Sequence, residues 1–169
     1  MLSKLSNYFS FYYLLKTFNH LNKVRSFVQV GAHDGVMHDP LVPFLSRNKW
    51  NGIIIEPQKE FLNKFKSRYK NRTNLSYYNV AVHPTLKKVE LFRFKKPKNY
   101  SQTGWATVLP NQLKTQSPEE LSVKIVKALP LMKIINDSNY NSIDLLQIDT
   151  EGFDYEVLKM FDFNTYRPV

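Results

Sequence analysis

The stretch FVQVGAHDG, residues 27–35, decides the predicted fold of this chain. Residues 27–30 are apolar apart from Gln29, a composition typical of a buried parallel strand. Gly31 and Gly35 then mark a tight turn, because glycine tolerates backbone conformations that other residues resist. A glycine-bearing turn at the carboxyl end of a first parallel strand is a frequent ligand site in α/β sheets. Two glycines alone are a weak signal, so the prediction depends on the rest of the chain.

Strand and helix patterns alternate along the 169 residues, a length that fits one domain. The predicted strands are residues 27–30, 53–55, a segment within 75–82 that ends at Val82, 88–94, 121–128 and 143–148. The predicted helices are residues 40–48, with Asp39 as N-cap, 61–69, 131–136 and 155–161. Residues 95–118 show no periodicity and predict a long loop of the kind that serves as a lid or binding loop. The alternation predicts a parallel, doubly wound α/β sheet.

The amino-terminal region has apolar residues at helical spacing. Residues 2–21 predict an amphipathic helix, with Tyr13, Leu14, Phe18 and Leu21 among its apolar positions. A signal peptide is disfavoured because Lys16 interrupts a short apolar patch, and a membrane-surface helix is a second, weaker alternative. We therefore predict a helix over residues 1–23, one domain over 24–169, no transmembrane segment and a cytoplasmic location.

The chain is basic, with a formal net charge of +10, and residues 59–98 carry the excess. Such a surface indicates an anionic partner, such as nucleic acid or a membrane. The many Lys and Asn residues equally fit the codon bias of an A/T-rich genome, which we favour. The lack of cysteine excludes disulfides and thiolate metal sites.

Polar residues follow several predicted strands at their carboxyl ends. Glu56 comes directly after the strand at 53–55, about 20 residues beyond the glycine turn, where a carboxylate that binds ribose hydroxyls is expected. Its alternative role is a helix cap. Asp149 and Glu151 follow the strand at 143–148. Because these ends share one sheet edge, we predict that Gly31, Gly35, Glu56 and Asp149 line one pocket.

Two His–Asp pairs, His33-Asp34 and His38-Asp39, contain residue types that bind metals. Both pairs lie in or beside the glycine turn, which is predicted to hold an organic ligand. We therefore predict no metal site.

Several motifs resemble the FkbM family of methyltransferases over about residues 24–169. They are FVQVGAHDG (27–35), the Asp39-Pro40 pair, WNGIIIEP (50–57), NVAV (79–82) and IDLLQIDTEGFDYEVL (143–158). The resemblance implies S-adenosylmethionine as cofactor and a Rossmann-like, mostly parallel sheet of the class I methyltransferase type. Sheets of that type have seven strands, so the resemblance also implies that the chain is truncated at its carboxyl terminus, leaving an open sheet edge for self-association.

The resemblance also implies residue roles. Gly31, Ala32, His33, Asp34 and Gly35 are expected to hold the methionine part of the cofactor, Glu56 the ribose, and Asn79, Val80 and Ala81 the adenine. Asp149 is expected to face the sulfonium end. Position 29 often carries an acid that contacts the cofactor's amino group, and Gln29 can still accept one hydrogen bond there.

The expected reaction is O-methylation of a hydroxyl on a sugar or another small-molecule or glycan acceptor. Asp149 and Glu151 are the candidate general bases, since an ordinary hydroxyl has a high pKa; alternatively Asp149 only binds cofactor and Glu151 only caps the next helix. A non-catalytic module with a basic face for nucleic acid or membrane is the rival function. A nicotinamide site is disfavoured because the turn lacks the G-x-G-x-x-G spacing.

Overall fold

A computed structural model describes residues 12–21, 24–46, 50–113, 118–138 and 140–168. The strands are β1 (Ser26–Val30), β2 (Asn51–Ile55), β3 (Leu75–Tyr78), β4 (Ala81–Val82), β5 (Lys88–Phe94), β6 (Leu121–Leu129) and β7 (Leu145–Ile148). The helices are α1 (residues 12–21), α2 (Val42–Leu45), α3 (Lys59–Arg68), α4 (Leu131–Asp137) and α5 (Asp154–Lys159). Short 3-10 helices at Tyr100–Gly104 and Pro110–Gln112 interrupt the predicted loop.

The main sheet has the strand order β3-β2-β1-β7, and every pair in it is parallel. In register, Val28 of β1 lies between Ile53 of β2 and Leu146 of β7. The chain moves outward from β1 to β3 and then returns to the other side of β1. This reversal creates a switch point between β1 and β7, where ligands bind in open α/β sheets. The predicted α/β class and mostly parallel sheet are confirmed.

Alternate residues of the strands belong to two core clusters on opposite faces of the sheet, because successive side chains of a strand point to opposite faces. Phe27 and Ile54 point to the face covered by α2 and α3, where Leu45 and Phe65 are fully buried. Val28 and Ile53 belong to the other cluster with α4 and α5, which contributes the fully buried Ile134 and Val157. The sheet is therefore covered on both faces, and its apolar β-branched strands follow from that burial.

A second, three-stranded sheet has the order β4-β6-β5. β6 pairs antiparallel with β5 and parallel with β4, and an isolated bridge joins Phe92 of β5 to Thr107. Val89 and Leu91 of β5 face a small core cluster of this sheet, whereas Glu90 between them is exposed. This alternation agrees with the predicted strand with one solvated face.

The predicted third strand is corrected. β3 ends at Tyr78, and Ala81 and Val82 instead pair with Ala128 and Leu129 of β6 in the second sheet. The Asn79 side chain explains the break, because it donates hydrogen bonds to the carbonyls of Glu56 (2.8 Å) and Pro57 (3.0 Å) and turns the chain away from the main sheet.

The predicted helix at residues 40–48 is also corrected. α2 begins at Val42, with Leu41 in the N-cap position, and ends at Leu45. Asp39 instead forms a turn, since its Oδ1 accepts a hydrogen bond from the backbone N–H of Leu41 at 2.8 Å. Pro43 occupies the first turn of the helix, where its missing N–H costs nothing. Residues 47–49 lie outside the described residues.

α1 packs against the first core cluster through Leu15, with Tyr12 and Phe18 partly buried on the same face. Tyr13, Leu14 and Leu21, which were predicted as apolar-face positions, are exposed. A residue spacing of three places positions 12, 15 and 18 on one face, so the buried stripe is rotated from the predicted one. Residues 1–11 of the predicted helix lie outside the described part of the chain.

Within the described residues, β7 has one strand neighbour, β1. Leu145 and Leu146 face opposite core clusters, as expected of a strand between two helical layers. The expected truncation and self-association remain predictions. None of the described helices has the length and apolar character needed to cross a membrane.

Candidate functional site

A pocket opens at the switch point, at the carboxyl ends of β1, β2 and β7. Its floor and walls come from these strand ends and from the start of the second sheet, and the segment around Trp105 covers one side. The wall includes Gln29, Gly31, Ala32, His33, Asp39, Glu56, Gln58, Val80, Ala81, Trp105, Gln147, Asp149 and Glu151.

The turn after β1 is fixed by close packing. Gly31 has φ +81°, and a Cβ on it would lie 1.8 Å from the carbonyl oxygen of Asp149, so no other residue fits between β1 and the end of β7. Gly35 has φ +68°, and a Cβ there would overlap the Phe65 ring at 2.5 Å. Gly31 lines the pocket, but Gly35 packs on α3 and is not part of the wall. The prediction that Gly35 lines the pocket is therefore wrong.

Glu56 is buried at the tip of β2. Its Oε2 accepts a hydrogen bond from the His33 backbone N–H at 2.8 Å, and its Oε1 accepts one from the Gln58 backbone N–H at 2.8 Å. Burial raises the pKa of Glu56 to about 7, against the opposing effect of these two hydrogen bonds. The residue before α3 is Gln58, so Glu56 holds the β1 turn and the β2 turn together beside the pocket rather than occupying the N-cap position.

His33 and Asp34 connect this turn to the 3-10 helix at Tyr100–Gly104. Asp34 accepts a hydrogen bond from the Tyr100 hydroxyl at 2.7 Å, and His33 Nε2 lies 3.2 Å from Thr103 Oγ1. Burial lowers the pKa of His33, which stacks on Phe61 with ring centroids 3.7 Å apart. Asp34 also accepts from turn amides, so it supports the pocket without lining it.

The segment after β3 supplies an apolar wall. Val80 and Ala81 are buried and line the pocket, and Phe153 lies in the same wall. Asn79 does not line it, because its side chain is directed to the carbonyls at the end of β2. Of the three residues predicted beside adenine, Val80 and Ala81 thus form an apolar part of the wall, and Asn79 holds the chain beside it in position.

Asp149 and Glu151 follow β7 at the other side of the pocket. Burial, together with the smaller effects of the neighbouring Asp149 and Asp154 charges, raises the pKa of Glu151 to about 7. Asp149 is exposed to solvent, yet partial desolvation by the surrounding protein and the charge of Asp154 raise its pKa, against the opposing effect of His38. These two carboxyl groups are therefore close enough to influence each other's protonation.

The backbone at Glu151 is held in an uncommon conformation, with φ +53°. Thr107 Oγ1 donates to the Glu151 carbonyl at 2.9 Å, and Asp154 accepts from the backbone N–H groups of Thr150 (2.8 Å) and Gly152 (3.2 Å). Asp154, not Glu151, therefore holds the turn before α5. Such conformations persist where the surrounding structure enforces them, often at functional sites.

Several polar residues of the pocket were not predicted as site residues, and two of them, Gln147 and Asp39, adjoin Gln29. Gln147 is the register partner of Gln29 in the β1–β7 pair. Asp39, which was predicted as a helix cap and weighed as a metal ligand in the His38-Asp39 pair, is buried in the same wall. Gln147 could have been noticed as the polar position within an apolar strand, two residues before Asp149. Its pairing with Gln29 depends on strand register, which the sequence does not specify.

The pocket thus brings together most of the predicted site residues. Those in its wall are Gln29, Gly31, Ala32, His33, Glu56, Val80, Ala81, Asp149 and Glu151. Those outside it are Asp34, Gly35 and Asn79. Among the residues that the structure describes, no group of three or more His, Cys, Asp or Glu side chains is placed to hold a metal ion.

Comparison with protein families gives one match: the methyltransferase FkbM domain, over residues 29–169. The matched region contains the glycine turn and the four carboxylate residues of the pocket wall, Asp39, Glu56, Asp149 and Glu151. No curated protein and no solved structure matches the chain.

Proposed function

Because the chain belongs to the FkbM methyltransferase domain family, we propose that it uses S-adenosylmethionine to methylate a hydroxyl group on a sugar or another small-molecule or glycan acceptor. The observation that carries this proposal is the placement of Glu56 on one side of the pocket and of Asp149 and Glu151 on the other. A nucleoside-binding carboxylate and a candidate base thereby share one cavity at the switch point.

The pocket residues fit the proposed cofactor. The side-chain oxygens of Gln29 and Gln147 are buried in this region and have no hydrogen-bond partner within the described chain, so they suit a ligand that brings donors. Val80 and Ala81 offer an apolar surface for a planar base. Each Glu56 oxygen accepts one backbone hydrogen bond, which leaves lone pairs for ribose hydroxyls.

S-adenosylmethionine, when bound, supplies a methyl group on a positively charged sulfur. The protein's part is to position an acceptor oxygen and to remove its proton. Glu151 is suited to the second task, because a pKa of about 7 lets its carboxylate accept a proton at neutral pH. Asp149, which lines the pocket after β7, would face the sulfonium end of the bound cofactor. A carboxylate acceptor is already deprotonated at neutral pH and needs no base, whereas a hydroxyl does. The presence of a candidate base in the pocket therefore favours a hydroxyl acceptor.

Isothermal titration calorimetry with S-adenosylmethionine and its demethylated product, S-adenosylhomocysteine, tests the cofactor. Transfer of a radiolabelled methyl group to pooled sugars, glycans and hydroxylated small molecules then tests the acceptor class. We expect binding of both nucleosides and labelling of a hydroxyl-bearing pool that is lost in Glu151→Gln. Glu90→Gln, on the exposed face of β5, is the matched control. A protein that binds neither S-adenosylmethionine nor S-adenosylhomocysteine would reject the proposal.

A further inference from the structure

Gln29 and Gln147 form a polar pair on one face of an otherwise apolar sheet centre. They are partners in the parallel register of β1 and β7, and both line the pocket. Gln29 is 1% exposed. The Oε1 atom of each side chain is buried and has no hydrogen-bond partner among the described residues. Two unsatisfied acceptors therefore lie on adjacent strands.

An unsatisfied buried acceptor costs on the order of 1–3 kcal/mol, so native proteins contain few of them. An apolar side chain at either position would remove this cost. The presence of Gln29 and Gln147 as a pair in the pocket wall points to a ligand that supplies the missing hydrogen-bond donors.

A buried carboxylate lies beside the pair. Asp39 is 5% exposed, lines the pocket and is hydrogen-bonded by the Gln29 side chain. Because Gln29 Oε1 has no partner, its amide nitrogen is the donor in that bond. Burial raises the pKa of Asp39 to about 6, and the charges of Asp34 and Asp149 act in the same direction, so the carboxylate is mostly ionised at pH 7.5.

We propose that Gln29, Gln147 and Asp39 together form the recess that binds the amino group of the cofactor's methionine part. This assigns new roles to Gln147 and Asp39 and rests on the proposed function. An ammonium group has three donors, no acceptor and a positive charge. The two amide oxygens match the donors, and Asp39 supplies the negative charge that Gln29 lacks. A carboxylate ligand would be repelled by Asp39, and it would leave both oxygens unsatisfied.

Calorimetry with two nucleosides tests this assignment. S-adenosylhomocysteine carries the amino group, whereas 5′-methylthioadenosine keeps the adenosine and sulfur but lacks the amino-acid part. Gln147→Leu and Asp39→Asn are each expected to weaken S-adenosylhomocysteine binding about tenfold to hundredfold, the range for a hydrogen bond to a charged group. Binding of 5′-methylthioadenosine is expected to stay within about twofold of the wild-type value.

A third ligand separates the amino group from the carboxylate of the methionine part. Decarboxylated S-adenosylmethionine keeps the amine alone, and its binding is expected to show the same loss in Gln147→Leu. Thermal unfolding without ligand provides the control for folding. Gln147→Leu is expected to melt at or above the wild-type temperature, because it removes an unsatisfied acceptor.

Three results would overturn the inference. One is an equal loss of affinity for both nucleosides in Gln147→Leu. Another is unchanged binding of S-adenosylhomocysteine. The third is a lower melting temperature with no ligand-specific effect, which would assign the oxygens to a structural water. All three leave the proposed function standing, whereas a wild-type protein that binds none of these nucleosides would reject the proposed function and this inference together.

Discussion

The carbonyl oxygen of Asp149 occupies the space that a side chain on Gly31 would need, 1.8 Å from the position of its Cβ. The backbone N–H of Asp149 also donates to the Val30 carbonyl at 2.9 Å. The two ends of the pocket wall, one after β1 and one after β7, are therefore held in direct backbone contact. The glycine turn here serves strand packing first, and the pocket opens beside it.

Gly31→Ala is expected to lower the free energy of unfolding by on the order of 3 kcal/mol, because alanine combines a positive φ with a backbone overlap. Urea unfolding followed by circular dichroism measures the change. Gly104→Ala is the matched control, since its Cβ would come no closer than 3.0 Å, to the end of the flexible Met37 side chain. Equal stability of the two variants would contradict the packing role of Gly31.

The raised pKa of Glu56 predicts that the free energy of unfolding depends on pH. This pKa is raised from 4.5 to about 7 in the folded protein. Between these values the folded state binds the proton and the unfolded state does not, so stability falls as pH rises from 4.5 to about 7. The full loss from this group is on the order of 3 kcal/mol. Glu56→Gln is expected to flatten the slope in urea titrations at successive pH values.

The control for this pH series is Glu90→Gln, at an exposed position on β5. It is expected to retain the wild-type slope. An unchanged slope in Glu56→Gln would show that the carboxyl group titrates in the folded protein as it does in the unfolded chain.

The sequence was most informative where local composition and tertiary environment agree. Ile53, Ile54 and Ile55 are β-branched and fully buried, so their strand was correctly predicted. The carboxyl ends of β1, β2 and β7 meet because parallel strands share polarity, and Glu56 and Asp149 were correctly placed in one pocket.

The errors arose where distant contacts override the local pattern. Val80 to Val82 looks like the end of a strand, but Asn79 bonds to the end of β2 and directs Ala81 and Val82 into the second sheet. Gly35 looks like a ligand-facing glycine, but its neighbour is Phe65, thirty positions along the chain. The Gln29–Gln147 pair depends on a register that joins residues far apart in sequence.

Part of the rise in the pKa of Glu151 comes from the charge of Asp149, which a substitution can remove. Burial is the larger cause of the rise, and the charge of Asp149 adds to it. Asp149→Asn removes that charge, so the pKa of Glu151 is expected to fall from about 7 toward 4.5 while staying above it, because burial persists. Carbon-13 NMR of the labelled carboxyl groups measures the titration. Asp137→Asn, which changes an exposed side chain at the end of α4, is the control. A Glu151 pKa unchanged by Asp149→Asn would show that the two carboxyl groups act independently.

The Tyr100 hydroxyl is one of two direct polar links between the glycine turn and the 3-10 helix at Tyr100–Gly104, the other being the contact of His33 with Thr103. It donates to Asp34 at 2.7 Å, while its ring contacts His33 edge-on at 5.7 Å between centroids. Tyr100→Phe removes the hydroxyl and keeps the ring. We expect a loss of about 1.5–3 kcal/mol of local stability, the range for a hydrogen bond to a charged group, and faster exchange of the Gln102 and Trp105 backbone amides.

Hydrogen–deuterium exchange with mass spectrometry measures this change peptide by peptide. In Tyr100→Phe, exchange is expected to rise in residues 100–106 and to stay unchanged in β1, whose amides are held by two neighbouring strands. Tyr155→Phe, at a 69% exposed position, is the matched control and is expected to exchange as the wild type does. If S-adenosylhomocysteine binds in the pocket, it should slow exchange in the same residues 100–106, because Gly104 and Trp105 line the wall. Equal exchange in the two tyrosine variants would mean that ring packing, and not the bond to Asp34, holds this segment over the pocket.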